Sequence, residues 1–176
     1  MWSARAERVG AGLVCRWLLL AAWPLHLAFG ALVAATAALA AVTEQTGIAD
    51  AVAALAVQYI LGLCCSFGLH ELGHLVVLSR AEGVTAITLE RTLWRLSVSA
   101  HGRISGRDAV LAALAGPGTC VAVGAALLLL APQSHLHLWY LAHAVFLVPV
   151  FGDGRAVLSV ILSRRAARGV AQRKRG

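Results

Sequence analysis

Four apolar runs separated by polar connections organise the chain: Trp17–Val42, Ala51–Leu78, Ala109–Ala131 and Leu136–Leu162. A helix of roughly 20 apolar residues crosses the hydrocarbon core of a bilayer, so each run predicts a membrane-spanning helix. The second run is longer than a bilayer is thick, which predicts a tilted helix or one that projects beyond the membrane. Pro24 in the first run predicts a kink relieved by neighbouring groups. Gly116 and Gly124 in the third run predict close approach of another helix. Residues 1–16 read as a short polar lead and residues 163–176 as a basic tail.

The period changes in the loop 79–108. Thr85, Ile87 and Leu89 fall on one side of an extended chain, and Leu96, Val98 and Ala100 alternate with Ser97 and Ser99, with an apolar Leu93-Trp94 pair between. A short β-hairpin over 84–100 is the expectation. A lone hairpin is only marginally stable in water, so this one should lean on the helices or dip into the membrane interface. The expected fold is therefore an all-α membrane protein with about four transmembrane helices. A short membrane-associated hairpin lies between the second and third, and residues 1–176 form a single domain.

Composition strengthens the membrane reading. The chain is 60% hydrophobic and 13% charged, with a mean hydropathy of +0.79, against about 25% charged residues in soluble domains. The net charge of +7, from 15 basic and 8 acidic side chains, would suit nucleic acid by amount alone. Its placement argues otherwise. Arginines precede the first run, occupy the 79–108 loop and crowd the tail, whereas Thr43–Asp50 and Pro132–His135 contain no Lys or Arg. This alternation is the positive-inside pattern, and it predicts that both termini and the 79–108 loop are cytoplasmic. The tail then serves as an anchor at anionic headgroups, and no nucleic-acid partner is expected. Lys174 is the lone lysine among the basic residues and Ala is abundant, which suits a GC-rich bacterial genome and a multi-pass plasma-membrane protein. Cys15, Cys64, Cys65 and Cys120 lie in or beside apolar runs and read as packing residues, not a disulfide framework. Ala28-Phe29-Gly30 offers a signal-peptidase-like site, but the apolar run continues past it, so an uncleaved first helix is expected.

Within these runs sits a polar constellation. His70-Glu71-Leu72-Gly73-His74 has the H-E-x-x-H spacing. On a helix, residues four apart share a face, so the two imidazoles can hold one Zn²⁺ with the glutamate beside them. Glu71 and Asp153 are the acidic residues inside apolar runs, and an ionisable group in a membrane is by default a functional hypothesis. Catalytic zinc usually takes three protein ligands. Asp153 is the candidate third, in a segment that Pro149, Gly152 and Gly154 should break. Irregular backbone at membrane depth is tolerated when it lines a cavity.

Taken together, HELGH at 70–74, LAGPG at 114–118 and PVFGDGR at 149–155 resemble the site-2 protease family of intramembrane zinc metalloproteases. The resemblance covers roughly residues 50–162. It implies that His70, His74 and Asp153 bind one zinc ion and that Glu71 is the catalytic general base. It further implies hydrolysis of a peptide bond in or near the membrane-spanning segment of a membrane-anchored protein substrate. The chain departs from the family in carrying Cys120 and Phe146 where Asn is usual, and Gly152 immediately before the aspartate. The hairpin could receive an unwound substrate as an added strand. Two other classes use the same residues: a non-catalytic zinc-binding relative that acts through membrane interactions, and a small metal transporter. His135, His137 and His143 form a rival metal cluster. The sequence leaves the oligomeric state open.

Overall fold

The computed structural model describes residues 2–6, 11–91 and 96–173. In chain order the elements are β1 (Trp2–Ala6), α1 (Ala11–Ala21), α2 (Trp23–Thr43) and α3 (Thr46–Val57). A π-helical segment, Gln58–Cys64, joins α3 to α4 (Cys65–Leu78). Then come β2 (Val84–Arg91), β3 (Leu96–Gly102), α5 (Gly106–Leu130), α6 (Leu136–Ala142) and α7 (Gly152–Arg173), with a 3₁₀ segment, His143–Leu147, after α6. Four helical stretches are long and apolar enough to cross a membrane: Trp23–Thr43, Gly47–Leu78, Gly106–Leu130 and Leu136–Ser163. The chain is an all-α membrane protein with a small sheet between the second and third spans.

The first span begins later than the apolar run suggested. The helix breaks at Ala22, and Pro24 stands in the first turn of α2, where its missing N–H is not needed and its φ suits the helix. Trp17, expected at the start of the span, instead belongs to the separate helix α1 and is fully buried with Val14. Hydropathy could not separate the two because both segments are apolar. Only packing does so: α2 has no buried residue, as suits a lipid-facing helix, whereas α1 turns an apolar face to the protein.

The N-terminal lead is not merely polar chain. β1 adds to the expected hairpin, giving a three-stranded antiparallel sheet in the order β1-β2-β3. β2 pairs with β1 from Trp2↔Arg91 to Ala6↔Ile87 and with β3 from Val84↔Gly102 to Arg91↔Leu96, with a bulge between Val84 and Ala86. As the central strand it is paired along both edges, and Ala86, Ile87, Thr88 and Leu89 are all buried. Thr88 is satisfied by a hydrogen bond between its hydroxyl and His101 Nε2 at 2.7 Å. Ile87 and Leu89 join Val14, Trp17, Leu75, Leu78 and Ala112 in the main apolar cluster. That cluster seats the sheet and α1 on the adjoining ends of α4 and α5. The Leu93-Trp94 pair lies outside the described residues.

Glycine sets how α4 and α5 meet. A Cβ on Gly73 would stand 2.6 Å from the Ala115 carbonyl oxygen, and one on Gly116 would stand 2.9 Å from the His70 carbonyl oxygen. The backbones therefore touch directly, the small-residue contact of membrane helix pairs. Gly124 does the same further along α5, against Leu141 of α6.

Candidate metal centre

The H-E-x-x-H spacing acts as expected on α4. His70, Glu71 and His74 are all buried, and the imidazole centroids of His70 and His74 are 4.7 Å apart. The Nε2 atoms of the two rings face each other at 3.0 Å. Asp153 arrives from the first turn of α7, placing Oδ2 3.3 Å from His70 Nε2 and Oδ1 3.5 Å from His74 Nε2. The break ahead of Asp153 falls where Pro149, Gly152 and Gly154 predict it. The 3₁₀ segment ends at Leu147, and α7 starts at Gly152. Gly154 lies against the Leu147 and Val148 carbonyls so closely that a side chain would collide with them.

The hydrogen bonds around the cluster decide its chemistry. The Ala112 carbonyl oxygen only accepts, so His74 Nδ1, 2.7 Å away, is the nitrogen that carries the proton. In the neutral ring this leaves the His74 Nε2 lone pair directed at His70 and Asp153. The Nε2 atoms of two imidazoles and the oxygens of a carboxylate thus converge over 3.0–3.5 Å. Such an electron-rich group is stable when a cation sits among its atoms. Bonds of about 2.0–2.1 Å at tetrahedral angles place ligand atoms about 3.3 Å apart, so the donor set and its spacing fit zinc. The outward hydrogen bond from His74 is the kind that orients ligating histidines.

Among the described residues, a second group also has metal-ligand chemistry, namely His70, Cys120 and His143. His70 Nδ1 lies 3.1 Å from His143 Nδ1. The Cys120 thiol donates to the Ser66 carbonyl oxygen at 3.2 Å. His143 therefore leaves the cluster proposed with His135 and His137 and faces His70 instead. His135 and His137 stand 6.3 Å apart by ring centroids and belong to neither group. The contact between His143 and His70 spans 73 residues. Its only local signal was a histidine within an apolar run. Phe146 packs on the His70 ring at 5.0 Å, and Cys120 is fully buried beside His70 and His143, so both positions where the resembled family usually has Asn lie at the site.

A cavity of about 930 Å³ opens onto the cluster. His70, Glu71, His74 and Asp153 line it together with Val98 and Ala100 of β3. The edge strand and the polar cluster therefore share one space. The chain matches no family model, no curated protein and no solved structure.

Proposed function

We propose that this chain is an intramembrane zinc metallopeptidase of the site-2 protease type. It acts in a bacterial plasma membrane with both termini cytoplasmic, and its substrate is a membrane-anchored protein cut in or near its spanning segment. The observation that carries this reading is a buried glutamate beside a three-donor cluster, in a cavity that an edge strand also lines.

His70, His74 and Asp153 would hold the zinc ion, which when bound would supply Lewis acidity at the site. Glu71 takes a proton from the attacking water as general base and returns it to the leaving amine as the peptide bond breaks. A helical substrate hides its carbonyls in its own hydrogen bonds, so the segment to be cut must unwind. β3 pairs with β2 on one side, and no described strand covers its other edge. An extended segment can add there, regaining main-chain hydrogen bonds lost from the helix.

The test is Glu71→Gln in the full chain. The expected result is zinc content equal to wild type, at about one per chain, with cleavage of a membrane-anchored reporter abolished. Retained cleavage would sink the assignment of Glu71. Loss of zinc from both His70→Ala and Asp153→Ala is expected alongside.

One observation favours a second reading, metal handling. His70 belongs to two ligand groups, which would serve as a pair of stations for an ion in transit. A transporter would bind several metals comparably and pass them across vesicles, whereas the peptidase holds one zinc and yields a cut product.

A further inference from the structure

We infer that His143 is a positioning residue for the metal ligand His70: its Nδ1 accepts a hydrogen bond from His70 Nδ1–H and so turns the His70 Nε2 lone pair toward His74 and Asp153. The inference rests on the zinc-centre reading above and extends it to a residue outside the three motifs.

A neutral imidazole carries one proton on one of its two nitrogens, and the partner of one nitrogen decides what the other can do. His70 has both nitrogens occupied by neighbours. Nε2 is 3.0 Å from His74 Nε2 and 3.3 Å from Asp153 Oδ2, and Nδ1 is 3.1 Å from His143 Nδ1. His74 meets the same need with a backbone carbonyl, Ala112, which cannot be mutated away. For His70 the acceptor is a side chain.

The surroundings of His143 suit an orienting role. It is 2% exposed, and its ring is held by Phe67 at 4.9 Å and Phe146 at 5.3 Å between centroids. The 3₁₀ segment His143–Leu147 explains why two of these groups reach His70 together. Residues three apart eclipse in a 3₁₀ helix, so His143 and Phe146 project from one face. Their ring centroids lie 4.9 and 5.0 Å from that of His70.

Direct ligation by His143 and Cys120 is the competing use of the same atoms. It would strip His70 of its last proton, because both ring nitrogens would then bind metal. It would also take the Cys120 thiol from the Ser66 carbonyl to which it donates. The hydrogen-bonding role needs neither change.

The experiment measures Zn²⁺ affinity of the full chain in detergent by chelator competition, for wild type, His143→Leu and His143→Asn. Leucine fills the space without an acceptor, whereas asparagine places a carbonyl oxygen near the position of Nδ1. Expected are an affinity loss of about 10–100-fold for leucine, the range for lost partners of metal-bound histidine, and recovery to near wild type for asparagine. Unchanged affinity in His143→Leu overturns the inference while leaving the zinc centre standing. Equal weakening in both variants overturns it too, by showing a packing role. Two metal ions in wild type, one of them lost from both variants, makes His143 a ligand and overturns it. A well-folded wild type that binds no zinc removes the zinc centre itself, and the inference with it.

Discussion

Gly116 carries more of the site than its lack of a side chain suggests. A Cβ there would lie 2.5 Å from His74 Nε2, the atom that faces His70 and Asp153. Gly116→Ala is therefore expected to push the His74 ring off its Ala112 hydrogen bond or to separate α4 from α5. Overpacking of this kind costs about 1–3 kcal/mol. The expected outcome is zinc affinity lowered by roughly tenfold or more, since 1.4 kcal/mol is a factor of ten. Gly118→Ala is the control, because nothing lies within 4 Å of a Cβ at that position. Equal zinc affinity in the two variants would mean that the close approach at Gly116 has no bearing on the centre. The H-E-x-x-H pattern was legible because helical spacing alone sets which side chains share a face. The tautomer of each histidine was not, since it depends on Ala112 and His143, which lie 38 and 73 residues from their partners.

At the scale of elements, β3 joins the three-stranded sheet to the cavity. Antiparallel strands direct the N–H groups of successive residues alternately toward and away from their partner. Proline substituted one position at a time over residues 98–101 should therefore give effects with a period of two. Where the N–H faces β2, the sheet itself weakens. Where it faces outward, cleavage should fall roughly fivefold with zinc content unchanged, the worth of about 1 kcal/mol for one lost hydrogen bond. Cleavage that survives every substitution would remove strand addition from the mechanism. The alternation of 84–100 made the hairpin legible. The third strand was not, because five residues at 2–6 carry too little pattern to predict a partner more than eighty positions away.

For the whole molecule, an even number of spans places both chain ends on the same side of the membrane. Four helical stretches meet the requirement, and the basic residues cluster on the connections of one side. Reporters fused to each terminus should both report the cytoplasm, and the chain should resist extraction from membranes at alkaline pH. Reporters on opposite sides would mean that one stretch does not cross. The fourth stretch is the place to look first, because its helix is interrupted between Leu147 and Gly152.

The sequence by itself determined the number and approximate extent of the spans, since hydropathy over a fixed thickness is a property of composition along the chain. It also determined that His70 and His74 share a face, and that an acid inside an apolar run sits at a break in the helix. Tertiary structure alone decided where the apolar stretch around Trp17 and Ala22 divides, because lipid and protein core attract the same side chains. It alone brought Asp153 to the two histidines and His143 to the back of His70. The first contact depends on the break ahead of α7, where Gly154 lies against the Leu147 and Val148 carbonyls, and the second on the 3₁₀ segment that carries His143, and neither is written in local periodicity.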